Sequence, residues 1–448
     1  MTLPPRRLLA VSAASATAIL GDSLLYAVLP VVWPQLGLEL ALVGVLLSIN
    51  RWVRLVTNSF AGWAMERFGV RIPFVVAVFT SALTTLAYAL VRGLWPLLLA
   101  RMAWGTCYSF LRLGGYLAAL ETASNRNRGY YLGFFYGVLR FGSFIATLVG
   151  GLLTDVLGFA PTVFVFTGVT VFGGLAVLRE RPGALSPVRL APHLSDPFGG
   201  RAAPGDPHPA GGQAPTSATE HPTFPEPVER RTSPRLQTGL DKASTGYVSG
   251  RGSRFQWAAV YFLAFVDALL LSGLVTATLG LWLMLRAGDS GVLGLGIASL
   301  SGAVLSTRYL IDFGWTPLAG RLSDRFGRQR AILVAVVGQC LGLAAFGASE
   351  GLLTVSASAV GLFLVDAVNR VGIEATVGDL ADPADRARVM SRYATVFDLG
   401  AATGPLLGYW LAGRDSLALA YWGGALLFLL GGLVYGLAFW RSAPSSAG

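Results

Sequence analysis

Charged side chains lie inside long apolar stretches of this sequence. An ionisable group in an apolar setting costs several kcal/mol unless it is paired or hydrated, so such groups mark sites where protons or charged molecules bind. The candidates are four carboxylates and three arginines: Asp22, Asp267, Asp366, Glu374, Arg101, Arg112 and Arg370. Tyr26 follows Asp22 by four residues and so lies on the same helix face. Movement of Asp22 between an apolar environment and a nearby arginine would load and release a proton.

A purely structural role is the alternative for these groups. Asp366, Arg370 and Glu374 recur at i, i+4 and i+8, so they could neutralise one another along one helix face. Asp22 could likewise form a static ion pair. The three histidines of the chain lie in its polar middle segment, so proton binding in the apolar stretches must use carboxylates. The two cysteines are far apart and give no metal-ligand spacing, and we expect neither a metal nor a cofactor.

The composition places these side chains in a membrane. The chain of 448 residues is 54% hydrophobic and 13% charged, whereas about a quarter of the residues of soluble domains are charged. Apolar runs of roughly 20 residues recur about twelve times, and this is the length that spans a bilayer as a helix. Unpaired backbone groups are not tolerated in hydrocarbon, so the runs predict an all-α integral membrane protein with about twelve transmembrane helices.

The arginines predict how the chain is oriented. They fall mainly in every second polar break between the apolar runs. Breaks that are rich in arginine normally lie on the cytosolic side of the membrane. This pattern places both termini in the cytosol of a multi-pass protein of the cell membrane. It also accounts for the net charge of +10 without nucleic acid as a partner. Residues 182–254 are rich in Pro, Gly, Ser and Thr, and we expect a disordered cytosolic linker there.

The chain contains an internal repeat with an offset of 258 residues. The stretch GWAMERFG at 62–69 returns as GRLSDRFG at 320–327. The same offset relates arginines, acids and glycines of the fourth and fifth apolar runs to those of the tenth and eleventh. Such regularity indicates a duplicated unit, as in many secondary transporters. We therefore predict two pseudo-symmetric bundles of six helices, residues 1–181 and 255–448, joined by the linker.

The repeated stretch resembles the loop signature of the major facilitator superfamily, G-x-x-x-D-R-x-G-R, and the resemblance covers nearly all of the chain outside the linker. The second copy of the signature is complete: Gly320, Asp324, Arg325, Gly327 and Arg328. The first copy has glutamate for aspartate and a valine before its last arginine: Gly62, Glu66, Arg67, Gly69 and Arg71. The resemblance implies two bundles that rock about a central cavity lined by the first, fourth, seventh and tenth helices.

The resemblance also implies that the signature holds one state closed. A carboxylate is stabilised at the positive N-terminus of a helix, and arginines bridge to carboxylates and lipid phosphates. By the resemblance, Glu66 holds the start of the eleventh helix in the outward-facing state, and Asp324 holds the start of the fifth. Glu121 and Asp379 would be relay partners of the loop arginines. Plain anchoring of the arginines at the membrane surface is the alternative.

The fourth apolar run, LLLARMAWG at 97–105, resembles the fourth-helix motif of proton-coupled drug antiporters, with Arg101 in place and Trp104 where glutamine is usual. This resemblance predicts proton-coupled efflux of small lipophilic or cationic compounds. The fifth run lacks the Gly-Pro pair that is usual in drug antiporters, so the direction of transport stays open. The alternative is a proton-coupled uptake symporter for a small organic anion, favoured by buried arginines: Arg51, Arg54, Arg112, Arg308 and Arg370.

A non-transporting role on the same fold, as an assembly factor or sensor, is the remaining alternative. We do not expect an enzyme, because the protease-like sequence GDSG at 288–291 has no histidine in the apolar runs to activate its serine. A transporter implies three partners, namely a small-molecule substrate, protons and the lipid bilayer. We expect the protein to be a monomer.

Overall fold

The computed structural model describes most of the chain: residues 4–123, 127–179, 252–287, 296–382 and 385–440. Within these residues the structure is helical and contains no β-strand. Most of the predicted linker at 182–254 lies outside the described residues, and so does the GDSG sequence at 288–291.

Six helices form the first half of the described chain. They are α1 (Arg6–Leu36), α2 (Leu40–Phe68), α3 (Arg71–Leu90), α4 (Leu94–Thr122), α5 (Arg128–Leu157) and α6 (Phe159–Leu178). Short connections join them, and several use glycine in the left-handed region. Gly69 ends α2 with φ of 76°, a conformation that a residue with a Cβ atom rarely adopts. This requirement explains one of the glycines of the loop signature.

Six further helices form the second half. They are α7 (Arg254–Ala287), α8 (in two pieces, Ile297–Gly314 and Thr316–Phe326), α9 (Arg328–Ala348), α10 (Leu352–Leu380), α11 (Arg386–Ala412) and α12 (Leu417–Trp440). The offset of 258 maps α4 onto α10 at both ends, and α2, α3, α5 and α6 onto helices that start within one residue of the expected position. Gly327 matches Gly69, with φ of 88°. The predicted duplication is therefore present in the helices themselves.

The first helix pair departs from the repeat. The offset predicts that α7 starts at residue 264, but it starts at Arg254 and contains a π-helical turn at Ala268–Val275. In that turn the Thr276 hydroxyl donates to the Leu271 carbonyl at 2.7 Å. A π-helical turn shifts the backbone bonding by one residue, which leaves carbonyl groups available to side chains from other helices.

The surface and the length of the helices confirm a membrane protein with about twelve transmembrane helices in two bundles. Among the described residues, nine helices are long and apolar enough to cross a bilayer. The other three, α4, α8 and α11, carry charged residues within their length. Large apolar side chains cover the outside of the bundle, for example Val156 at 78% exposure and Leu353 at 82%. Lipid, rather than water, suits such a surface.

The two ends of the bundle differ in how tightly the halves meet. We call the end that holds the α2–α3 and α8–α9 connections the inner end, and the opposite end the outer end. At the outer end α5 packs on α8 and α2 packs on α11. Glycines permit this approach: a methyl group on Gly302 would overlap the Thr147 carbonyl oxygen, and one on Gly151 would overlap that of Ala298. Small residues at crossings of membrane helices let the backbones touch.

The variant Gly302→Ala tests this close packing. The added methyl group meets the backbone of α5, and we expect overpacking to cost about 1–3 kcal/mol and to lower the thermal unfolding temperature of the purified protein. Gly168→Ala on α6 is the matched control, because a methyl group there meets open space. Equal unfolding temperatures for the two variants would contradict the α5–α8 contact.

Candidate functional site

A cavity of about 400 Å³ lies between the two halves. Residues of α1, α2, α4, α5, α7, α8, α10 and α11 line it, and the described lining takes no residue from α3, α6, α9 or α12. Six arginines and four carboxylates face it: Arg51, Arg54, Arg112, Arg140, Arg308, Arg370, Asp22, Asp312, Glu374 and Asp398. Seven aromatic side chains complete the wall: Tyr26, Trp104, Tyr108, Tyr136, Tyr309, Tyr393 and Phe397.

The cavity extends towards the inner end of the bundle. On α1 its lining begins at Tyr26, beyond the middle of the helix, and on α10 and α11 it continues to Glu374 and Tyr393. These two residues lie within about two helical turns of the inner ends of α10 and α11. The outer end is occupied by the close contacts between the halves, so the structure is an inner-end-facing state.

The predicted cavity residues divide into two groups. Five of the eight line the cavity: Asp22, Tyr26, Arg112, Arg370 and Glu374. Three lie outside its lining and are almost completely buried: Arg101, Asp267 and Asp366. The second group cannot touch a molecule in the cavity of this state, and acts on it only through other side chains.

Asp22 is the centre of a cluster in the first half. Its Oδ1 atom accepts hydrogen bonds from Arg101 on α4 and from the amide of Asn50 on α2, the latter at 3.0 Å. Arg101 also donates to the Leu46 carbonyl at 2.9 Å. The side chain of Arg101 is 1% exposed and that of Asp22 is 12% exposed, so the carboxylate borders the cavity and the guanidinium supports it from behind.

Asp267 has a different environment in the second half. Its Oδ1 atom accepts hydrogen bonds from the side-chain amides of Gln339 on α9 and Asn369 on α10, both at 2.8 Å. Its direct hydrogen-bond partners in the described residues are therefore neutral, whereas those of Asp22 include a cation.

Arg308 uses the π-helical turn of α7. It donates to the Leu271 carbonyl at 3.1 Å and to the Ser272 hydroxyl at 2.7 Å. It also pairs with Asp366 on α10 at 3.4 Å. The Leu271 carbonyl also accepts hydrogen bonds from the backbone N–H and the hydroxyl of Thr276, so the π-helical turn gathers several donors, including a buried cation, at one oxygen.

Two ion pairs join the halves across the cavity. Arg54 on α2 pairs with Asp398 on α11 at 3.4 Å, and Arg140 on α5 pairs with Asp312 on α8. Asp312 also pairs with Arg370 on α10. The helices that carry these pairs are the ones that meet at the outer end. Any motion that separates the halves at this level must break both pairs.

The loop signature lies at the inner end, outside the cavity. Arg328 pairs with Asp324 at 3.0 Å and also with Asp379, which is the contact between a loop arginine and Asp379 that we expected. The first copy is arranged differently. Glu121 pairs at 2.9 Å with Arg7 on α1, while Glu66 is exposed. The two copies differ because Arg7, near the start of α1, lies beside the inner end of α4 and pairs with Glu121 there.

The remaining signature residues are exposed or loosely packed. Arg67 lies with its guanidinium 5.9 Å from the Phe68 ring centroid, and Arg325 is exposed. Arg71 donates to the Leu178 carbonyl at 3.1 Å. A methyl group on Gly62 would meet nothing within 4 Å, and one on Gly320 would make only an ordinary contact. Packing in this state therefore gives no reason for these two glycines.

A carboxylate that the sequence prediction omits closes the outer end. Asp155, near the end of α5, accepts a hydrogen bond from the backbone N–H of Ser299 at 2.6 Å, and it fills the space beside Gly296. It thus lies at the N-terminus of α8, where backbone N–H groups and the helix dipole favour a negative charge. The sequence does show an acid near the end of an apolar run. It does not show the partner of this acid, because Ser299 lies in the other half of the chain.

Comparison with known proteins agrees with this architecture. A family model described as Major Facilitator Superfamily matches residues 11–315 and 298–448. The chain belongs to the Major Facilitator Superfamily. It is accordingly a multi-pass membrane transporter, and the all-α fold of two bundles is that of the superfamily.

Three relatives of the superfamily are named for drug resistance. The chain is 31% identical over 131 residues to the class C tetracycline resistance protein of Escherichia coli, and 30% identical over 156 residues to the multidrug resistance protein MdtG of Dickeya zeae. These matches span 29% and 34% of this chain, and only 33% and 37% of the relatives. The class H tetracycline resistance protein of Pasteurella multocida is 22% identical over 422 residues, which cover 93% of this chain and 91% of that protein.

Solved structures of the superfamily share the fold at low sequence identity. A bacterial homologue of the human lysosomal transporter Spinster, in an inward-facing and unoccupied conformation, superposes with a TM-score of 0.69 at 15% identity over 100% of both chains. The nucleoside transporter NupG superposes with a TM-score of 0.71 at 11% identity, over 97% of this chain and 99% of that one.

The cavity also contains charged residues that were left out of the predicted cavity set, although three of them, Arg51, Arg54 and Arg308, supported the anionic alternative. They come from α2, α5, α8 and α11: Arg51, Arg54, Arg140, Arg308, Asp312 and Asp398. Family resemblance directed the prediction to the first, fourth, seventh and tenth helices, whereas the cost of burying charge applies to every helix. Buried charge alone was therefore the better signal for this superfamily member.

The variant Asp155→Asn tests the outer closure. It keeps the size of the side chain but removes its charge from the N-terminus of α8, so we expect the outer end to open more often. Labelling of a cysteine at buried position 301 by a maleimide, in a protein without other cysteines, should become roughly two- to tenfold faster. Glu350→Gln, at an exposed outer position, is the control. An unchanged labelling rate would contradict the role of Asp155.

Proposed function

We propose that this protein is a proton-coupled exporter that moves small amphipathic compounds out of the cell by alternating access. The observation that carries the proposal is the cavity between the halves, which extends to the inner end and ends at the closed outer end. Its aromatic wall suits the apolar body of a substrate. The names of the tetracycline and multidrug resistance relatives support efflux.

The inner end faces the cytosol in this proposal. The exposed arginines of the α8–α9 region, including Arg321 and Arg325, lie there, as the positive-inside rule requires of a cytosolic surface. The first and last helices begin and end there too, which puts both termini in the cytosol. Residues 1–181 and 255–448 move as two bodies, and 182–254 is their cytosolic linker. One chain holds the whole pathway, so a monomer suffices.

Asp22 is the group through which protons act. It borders the cavity, where water can deliver a proton, and its main partner is the buried Arg101. Protonation would remove the charge that ties α1 to α4 through this pair, so the packing of the two helices would change. A change in helix packing is a means to bias the rocking of the halves.

The loop signature holds the outward-facing state in this proposal. Glu66 is exposed here, and Gly62 and Gly320 have unused space around them. The exposed carboxylate and the open space beside the glycines would let the start of another helix pack against each loop when the inner end closes. Asp324 would then exchange its contact with Arg328 for the start of α5, and Glu66 would contact the start of α11.

Uptake of a small organic anion by proton symport is the second candidate. The observation that favours it is the excess of six arginines over four carboxylates in the cavity lining. Alternating access permits both directions, so the direction of flux under a pH gradient separates the two candidates.

Transport of tetracycline in everted membrane vesicles tests the exporter. Vesicles with an acidic lumen should accumulate tetracycline faster than vesicles without the protein, because the inner end then faces the medium. Asp22→Asn should lose most of the dependence on the pH gradient while the protein still reaches the membrane. Asp415→Asn, an acid at an exposed outer position, serves as the control and should transport normally. Accumulation that ignores both the gradient and Asp22→Asn would contradict proton coupling.

The loop signature is tested by Asp324→Asn. We expect slower transport, because the outward-facing state loses a charged contact at a helix N-terminus worth about 0.3–1 kcal/mol or more. Asp415→Asn is the control, because this acid is also exposed but lies at the outer end, away from both copies of the signature. If the two variants transport at equal rates, the signature does not hold the outward-facing state. Anchoring of its arginines at the membrane surface would then be the better explanation of the signature.

A further inference from the structure

The arginines of the cavity fall into two groups. Four of the six have a carboxylate within ion-pair distance: Arg54, Arg140, Arg308 and Arg370. Arg51 and Arg112 have no such carboxylate among the described residues, although both line the cavity. A guanidinium does not lose its charge in proteins, so these two cations keep a full positive charge at the cavity wall, and a bound anion would give each of them an ion-pair partner.

The carboxylates of the cavity are already engaged. Asp312 alone serves two arginines, Arg140 and Arg370. Asp22 and Asp398 each have their own arginine. Within the described lining, only Glu374 has no arginine at ion-pair distance. A cationic substrate would therefore find one available carboxylate, whereas an anionic substrate would find two available guanidiniums.

Arg51 is the better placed of the two. It donates to the Tyr26 hydroxyl and to the Ser272 carbonyl, at 3.4 Å in both cases. These distances are at the long limit for a hydrogen bond, and both acceptors are neutral. Replacing them by an anionic oxygen would give shorter, charge-assisted bonds. Tyr26 lies on α1 and Ser272 on α7, so Arg51 stands where the two halves meet.

Aromatic rings beside these arginines suit a planar ligand. The Arg51 guanidinium lies 5.8 Å from the Tyr26 ring centroid, and the Arg54 guanidinium lies 4.8 Å from that of Tyr108. Tyr108 stacks on Trp104, with 5.4 Å between ring centroids. Arg112 follows Tyr108 by one turn of α4. The same wall thus offers positive charge and flat apolar surface, which a planar organic anion would use together.

We propose that the substrate of this cavity is a small planar organic anion whose anionic group is bound by Arg51, with Arg112 as a second cation. This rests on the proposed function in that it concerns the same cavity. It favours the organic anion, the alternative of the sequence analysis, over the lipophilic or cationic compounds that were predicted first. It does not depend on the direction of transport or on proton coupling.

Equilibrium binding to the purified full-length protein in detergent tests the proposal. The probes share one ring system and differ in charge: 2-naphthoate, 2-naphthalenemethanol and 2-naphthylmethylammonium, each measured by isothermal titration calorimetry. We expect 2-naphthoate to bind at least about tenfold more tightly than the other two, as charge-assisted hydrogen bonds imply.

The variants Arg51→Gln and Arg112→Gln separate the cavity from the overall charge. Arg51→Gln should weaken 2-naphthoate binding by about tenfold or more and leave 2-naphthalenemethanol within about twofold, and Arg112→Gln should have a smaller effect in the same direction. Arg414→Gln removes the same charge from an exposed outer position and should change neither affinity. Thermal unfolding of each variant reports whether it folds, and Arg51→Lys, which keeps the charge, should restore part of the affinity.

Three results would overturn the proposal. They are cation binding as tight as anion binding, 2-naphthoate affinity that Arg51→Gln does not change, and no binding of any of the three probes. Because the assay involves neither a gradient nor vesicles, its failure is distinct from failure of export. If the protein binds 2-naphthoate but accumulates no tetracycline in vesicles, the proposal of the anion site stands and the proposal of export is contradicted.

Discussion

The cost of burying charge away from water is the constraint on which the rest of this structure depends. An arginine or carboxylate inside a membrane helix is tolerated only with a partner or with water. Behind the cavity wall each charge has partners, as Asp267 has in two amides. The remaining charges face the cavity. The three helices that are less apolar than the rest, α4, α8 and α11, are placed around that space for the same reason.

This constraint gives the outer end and the middle of the bundle different contacts between the halves. The outer end closes through backbone contact at small residues such as Gly302, with Asp155 at a helix N-terminus as its charged element. The middle is joined by ion pairs across the halves, Arg54 with Asp398 and Arg140 with Asp312. Dry contacts need close shape complementarity, whereas ion pairs can be exchanged for water. A molecule that opens alternately at its ends needs contacts that can be remade, and water in the cavity lowers the cost of breaking the central ones.

The sequence predicted the helices and the repeat better than the site. Hydrophobic length defines membrane helices, and the offset of 258 correctly related five of the six helix pairs. It failed at α7, because nine residues (288–296) separate α7 from α8, whereas three (37–39) separate α1 from α2. The positions of Arg101, Asp267 and Asp366 behind the wall depend on helix rotation, which the sequence leaves undefined. The contact between Asp155 and Ser299 depends on how two distant helices meet, and no local pattern contains that information.

If transport is proton-coupled as proposed, the charge of the substrate bears on how the proton and the substrate act on each other. Protonation of Asp22 removes a negative charge from the wall, so by electrostatics alone a proton and an anion attract each other into the cavity. A symporter would use that attraction directly. An exporter cannot exchange the two by simple competition, and must act through the α1–α4 packing instead. It gains elsewhere: an anion that leaves a negatively charged cytosol moves with the membrane potential, which supplies about 2.3 kcal/mol per charge per 100 mV. Export of an anion therefore needs less from the proton than export of a cation would.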